Sequence, residues 1–271
     1  MTREPRAERP EAAGDPLLIS SVRKAMRVME VIASQQEPVG LTRIAALTGF
    51  GKSAAQRLTH TLHELGYIEK DASTRRYHLS VRVLDLAYGF LSKDPLINAA
   101  MLILIDTRER IHEAVNMGRL EGADFIYTVR MPSHRLSVIG GLIGRRQPAF
   151  CTSGGQAILS LMPRAAVEAI LDARPREALT PRTVTDRARL LELIDQARQE
   201  GFSATDQQVM MGELAVAAPI VDEYGLPVGA VQSAVSTAKW SFDRVRAELA
   251  PQVLETARLI SRAPAASLGR A

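Results

Sequence analysis

Between residues 20 and 66, apolar side chains recur at helical spacing in three successive runs separated by polar or glycine-bearing breaks. Val22, Ala25, Met29 and Ile32 predict an amphipathic helix, capped by Ser20 or Ser21 and ended before Glu37-Pro38-Val39-Gly40. A short second helix follows in LTRIAALT, where Leu41, Ile44, Ala45 and Thr48 group together and Thr42 is a candidate cap. Gly49-Phe50-Gly51 then forces a tight turn. In KSAAQRLTHTLHELG, a stripe of Ala55, Leu58, Leu62 and Leu65 leaves Lys52, Ser53, Gln56, Arg57 and His60 on the other face, and Gly66 stops the helix. Two β-prone runs, YIEK and RYHLS, flank a polar loop at 71–75, the pattern of a hairpin. Helix, helix, glycine turn, helix and hairpin is the order of a winged helix-turn-helix.

Downstream, residues 81–100 read as two helices broken at Lys93-Asp94-Pro95. The pattern then alternates. AVNMG and DFIYTV are strand-like, GGLIGRR is a glycine turn, and SGGQAILSLM, PRAAVEAILDA and DRARLLELIDQARQE are helical. Strands are expected near 202–205, 214–221 and 227–235, and a last helix over 243–261 opens at Trp240 with Ser241 as its cap. The fold class is therefore α+β: a winged helix-turn-helix over 18–82, a linker helix over 83–98, and a mixed α/β domain over 99–265. Residues 1–17, which mix Arg with Glu and Pro, read as a disordered leader.

Composition narrows the function classes. With 46% apolar residues in 271, the chain can build two cores, and no uninterrupted apolar run is long enough to span a bilayer. One cysteine, Cys151, excludes an internal disulfide and a cysteine-based zinc site, and the five histidines lack metal-ligand spacing. A reducing cytoplasm, no metal and no cofactor are the expectation. Charge is informative by its distribution: residues 18–82 carry ten basic against five acidic side chains, while the whole chain has a net charge of only +4. The positive excess sits on the predicted winged helix, as a head that meets a phosphate backbone requires.

On that head, Gln56 and Arg57 are the candidates for base contacts, because amide and guanidinium groups make paired hydrogen bonds to adenine and guanine edges. Lys52 and Ser53 are candidates for phosphates, as are Thr42 and Arg43 on the second helix and Arg75 and Arg76 in the wing. A helical protein-interaction module is the alternative. In CTSGGQAIL, Thr152 or Ser153 can cap the next helix, and Ser153 with Gln156 matches a capping box; a plain cap and an anion seat are both open readings. Cys151 has no nearby histidine and reads as a packed thiol.

The runs SVRKAMRVMEVIA, LTRIAALTGFGKSAAQRLTHTLHELGYIEKD, IGRRQPAFCTSGGQAIL and GFSATDQQVMMGELAVAAPI, in that order, resemble the IclR-type bacterial transcriptional regulators, and the resemblance extends over 20–261. It implies a winged helix that binds double-stranded operator DNA and a GAF-like effector domain that binds a small organic acid. It also implies a homodimer or homotetramer, with repression of catabolic or metabolic genes the expected sign. Carried over by position, the ligand cavity takes Leu136 on its apolar wall, Thr152, Ser153 and Gly154 at a helix start, and Thr205, Ala215, Gln232 and Ala234 on facing strands. Asp206 is either an orienting neighbour of Thr205 or a solvent-facing strand-end carboxylate. Members that bind very small keto acids tend to carry Asp, Cys, Ser and Ser where this chain has Thr205, Ala215, Gln232 and Ala234. The departure argues against glyoxylate and for a larger or aromatic acid held by Ser153, Thr205 and Gln232. The rivals are a metabolite sensor acting through protein partners and a small-acid enzyme with an accessory winged helix. No nucleophile elbow, paired carboxylates or metal set supports the enzyme.

Overall fold

The computed structural model describes residues 17–133 and 142–263, so the leader at 1–16, Leu136, and Gly140 and Gly141 of the glycine turn lie outside the described residues. The chain divides into two compact units, 1–90 and 91–271.

The first unit runs α1 (Ser20–Ser34), α2 (Leu41–Thr48), α3 (Lys52–Glu64), β1 (Ile68–Lys70), β2 (Tyr77–Leu79) and α4 (Val83–Leu91). Val28, Ile32, Ile44, Leu62, Ile68 and Tyr77 form its core. Gly49, at φ 70°, ends α2 in the left-handed conformation that the turn into α3 requires. β1 and β2 pair antiparallel with Glu69 opposite His78, and Val39 bridges to Tyr77, which ties the segment after α1 to the hairpin. Three sequence expectations are corrected here. Neither Ser20, Ser21 nor Thr42 caps a helix; Ile19 and Gly40 stand at the N-caps in extended conformation without a side-chain bond, so the hydroxyls fall inside the first turn. In α1 the buried line is Val28, Val31 and Ile32, while Val22 is exposed. In α3, Thr59 rather than Leu65 completes the buried stripe, because its hydroxyl is satisfied by the Ala55 carbonyl at 2.9 Å while Leu65 stands at the C-cap, exposed.

The second unit contains α5 (Pro95–Ile111), β3 (Ala114–Glu121), β4 (Asp124–Met131), β5 (Arg146–Pro148), a 3-10 turn (Ala149–Cys151), α6 (Ser153–Leu159), α7 (Arg164–Asp172), α8 (Arg187–Glu200), β6 (Ser203–Asp206), β7 (Glu213–Val221), β8 (Pro227–Ser236), α9 (Phe242–Arg244) and α10 (Ala250–Ser261). A π-helical turn (Val245–Leu249) joins the last two helices. Among the described residues, its six strands pair antiparallel in the order β5-β4-β3-β8-β7-β6. α5 and α10 pack on one face through Leu96, Leu104, Val253 and Ile260 against Met117, Val216 and Val231. α6 lies against the other face, where Phe125, Tyr127, Ala217 and Ala230 meet Ala157 and Ile158. Asp94 caps α5 by accepting from the Ile97 amide at 2.9 Å and pairs with Arg119 at 2.8 Å, so Lys93-Asp94-Pro95 is a break followed by a fresh helix. That helix runs past residue 98 to 111 because Ala100 and Leu104 are core residues of this unit. No single helix among the described residues is long and apolar enough to cross a membrane.

Candidate functional site

Two surfaces carry the candidate residues, one in each unit. On the first, Lys52, Ser53, Gln56 and Arg57 all lie on the exposed face of α3, with Ala55, Thr59 and Leu62 turned inward. Among the described residues, neither Gln56 nor Arg57 commits its side chain to a hydrogen bond or ion pair, so both are available to an outside partner. Thr42 and Arg43 are exposed on the first turn of α2. Arg75 takes φ 59° at the tip of the β1–β2 loop, and Arg76 lies 3.9 Å from Glu37. The loop is organised by Asp71, whose carboxylate accepts from the Ser73 and Thr74 amides at 3.0 and 2.6 Å and from both hydroxyls. Those bonds, the Ser73 hydroxyl first, hold the Asp71 carboxyl well below the usual carboxylate range.

The second surface is the α6-facing side of the sheet. Strand register aligns Arg130, Asn116, Gln232, Ala217 and Ser203 across five strands, and one row away Ala114, Ala234, Ala215 and Thr205. Paired residues share a face and residues two apart along a strand share it too, so Thr205, Ala215, Gln232 and Ala234 look the same way. α6 covers that side. Thr152 caps it, accepting from the Gly155 amide at 3.2 Å; the Ser153–Gln156 capping box is corrected, because Gln156 is used elsewhere. Its amide donates to the Phe150 carbonyl at 2.8 Å and its oxygen accepts from the Ser203 hydroxyl at 2.7 Å, which latches α6 to the 3-10 turn and to β6. Gly155 packs on the Ala149 backbone and Gly154 on the Phe125 ring with no room for a Cβ. The helix therefore approaches the sheet closely, and Ser153 arrives fully buried.

Two polar atoms on this side are buried without a partner among the described residues: Ser153 Oγ and Gln232 Oε1. An unpaired buried polar atom costs about 1–3 kcal/mol, so each is a candidate place for a ligand group. Arg130 Nε is a third. The Arg130 guanidinium stacks 4.3 Å from the Tyr127 ring centre, and burial lowers its pKa from the ordinary arginine value. Burial likewise raises the Glu213 carboxyl, against the opposing pull of Arg145 and Arg130. The Tyr127 hydroxyl donates to Gln147 Oε1 at 3.1 Å and, buried, is pushed up to about 12.

Tyr127, Arg130, Gln147 and Glu213 are absent from the sequence-derived set. Strict alternation along β4 would put Tyr127 and Arg130 on opposite faces. A bulge, with the register shifting between Met117 and Gly118, makes Thr128 an extra residue and turns both inward. Asp206 takes the strand-end place: it pairs with Arg182 and lines a groove of about 620 Å³ along the β6 edge with Gln156, Ser203 and Arg246. Cys151 is buried, which pushes its thiol up to about 12.

Both units match known families. Residues 21–72 match the IclR helix-turn-helix domain, and residues 88–262 match the bacterial transcriptional regulator IclR C-terminal domain. The Pca regulon regulatory protein of Pseudomonas putida is 30% identical over 246 residues, covering 90% of this chain and 84% of its own. A crystal structure of a transcriptional regulator from Rhodococcus sp. RHA1 is 30% identical, with a TM-score of 0.77 over 93% of this chain and 100% of that one. An IclR homologue from Microbacterium hydrocarbonoxydans, solved with 4-hydroxybenzoate, shares the fold at 20% identity, with a TM-score of 0.73 over 89% of this chain and 97% of its own. With both family domains matched in order and most of the chain covered, this protein belongs to the IclR family of bacterial transcriptional regulators.

Proposed function

We propose that this regulator binds operator DNA through α3 and the β1–β2 wing and responds to a small organic acid seated between α6 and the sheet. The observation that carries the reading is the pairing, in one chain, of an exposed uncommitted Gln56–Arg57 face with a buried sheet face whose polar atoms lack partners. Gln56 and Arg57 read base edges, and Lys52, Ser53, Thr42, Arg43, Arg75 and Arg76 hold phosphates. Ser153, Gly154, Thr205 and Gln232 surround the acid, with Ala215 and Ala234 leaving space for its skeleton. The chain works as a homodimer or homotetramer in the cytoplasm, as a repressor of catabolic genes, and it catalyses no reaction. Acid binding changes the spacing of paired winged helices through residues 81–100, and half-site spacing converts that change into operator affinity. Similarity to the Pseudomonas regulator of the Pca regulon and to a fold relative that holds 4-hydroxybenzoate supports an aromatic-acid effector.

The test is an anisotropy titration of the purified protein against its own upstream intergenic DNA and a scrambled duplex, at two salt concentrations, with organic acids added. Specific, salt-sensitive binding that one acid alters is the expected result. Equal weak binding to both duplexes, unmoved by every acid, overturns the reading.

A further inference from the structure

One buried acceptor and one buried donor stand unpaired in the same cross-strand row. The Tyr127 hydroxyl spends its one proton on Gln147 Oε1, and the Gln232 side chain lies within electrostatic reach of its oxygen. Gln232 is 3% exposed, and its Oε1 has nothing to accept from among the described residues. That atom is a pure acceptor, so whatever satisfies it must bring a proton. At the other end of the same row, across Asn116, stands Arg130, a pure donor whose Nε is also without a partner. Arg130 makes no hydrogen bond or ion pair among the described residues, and its stacking on Tyr127 holds it in place. The nearby Arg145 charge adds to the field an anion would feel there, and the Glu213 carboxyl, when ionised, opposes it. The two ends are two strand spacings apart, about 9.5 Å between backbones, with the Tyr127 ring beside the path.

We propose that the effector is a hydroxy acid, its carboxylate held by Arg130 and its hydroxyl, at the far end of the skeleton, donating to Gln232 Oε1. The proposal rests on the reading of this sheet face as the effector site. A two-carbon acid cannot reach both ends. Tyr127 is a positioning residue, because its ring stacks on the Arg130 guanidinium and holds it at this end of the row.

The test is calorimetric titration of the full-length protein with 4-hydroxybenzoate, 3-hydroxybenzoate, 3,4-dihydroxybenzoate and 4-hydroxybutyrate, each against its deoxy counterpart, benzoate or butyrate. At least one hydroxy acid is expected to bind about tenfold or more tightly than its counterpart, the ratio that one hydrogen bond to a buried acceptor supplies. Arg130→Gln should weaken hydroxy acid and counterpart alike by about 10- to 100-fold. Gln232→Leu should erase the hydroxyl preference. Tyr127→Phe, which keeps the ring that stacks on Arg130, should leave the hydroxyl preference in place, whereas Tyr127→Ala should weaken hydroxy acid and counterpart alike. Equal affinities within every pair, no binding by any hydroxy acid, or wild-type affinity in Arg130→Gln would each overturn the proposal. Failures of the two readings separate: acids that bind with this variant pattern yet leave operator affinity unchanged defeat the effector role and not the ligand chemistry.

Discussion

Phe125 explains two glycines. Its buried ring fills the space where a Cβ on Gly118 or Gly154 would stand, and a Cβ on Gly154 would come within 2.5 Å of its Cζ. The ring's packing lets α6 close on the sheet, so Gly154→Ala, by forcing the ring or the helix away, should cost about 1–3 kcal/mol. Urea unfolding of the full chain would show a lowered midpoint, and an unchanged one would mean the contact relaxes freely. Cys151, beside this helix, is a packing residue whose thiol is raised by burial. At pH 8 it should therefore resist alkylation in the native protein and react promptly after denaturation. Fast native labelling would contradict its burial.

At the scale of elements, the wing loop owes its shape to one carboxylate. Because the folded Asp71 carboxyl is depressed, its stabilising contribution is present above the ordinary Asp value near 3.9 and is lost only as pH falls through the lower folded value. The Ser73 and Thr74 amide resonances should hold their shifts from pH 6 to below pH 4, and Asp71→Ala should collapse them at every pH. Recognition divides between two other elements. Arg57→Ala on α3 should cost about 1–3 kcal/mol and relax specificity at one base pair, whereas Arg76→Ala in the wing should weaken all duplexes alike and reduce the salt slope by about 1. Variants that both bind a cognate operator like wild type across a salt titration would remove α3 and the wing from the interface.

For the whole molecule, the sequence break at Lys93 lies where the chain passes between its two units. If that passage transmits the effector signal, an acid that alters operator affinity should also alter the rate of tryptic cleavage at Lys93. A cleavage rate blind to such an acid counts against the connector. Legibility followed the same division. The three helices and hairpin of the first unit were readable because each is a short local pattern punctuated by glycine or polar turns, and the exposed α3 residues follow from its stripe. The strands of the second unit were readable as elements, yet their order was not, since β3 pairs with β8 across more than a hundred residues.

Local patterns determined this protein's two-part organisation, the polar face of α3, the basic charge of the winged helix and the strand positions of Thr205, Ala215, Gln232 and Ala234. They did so because helical and strand periodicity and turn chemistry depend on near neighbours. The tertiary structure alone decided which polar atoms are left unsatisfied. The bulge beside Gly118 brings Tyr127 and Arg130 to one face, the close approach of α6 buries Ser153, and Gln156 is drawn from its expected cap to Ser203. Each of these depends on residues that meet only when the sheet closes and α6 packs on it. Periodicity along one strand carries no trace of an extra residue that is defined by its partner strand.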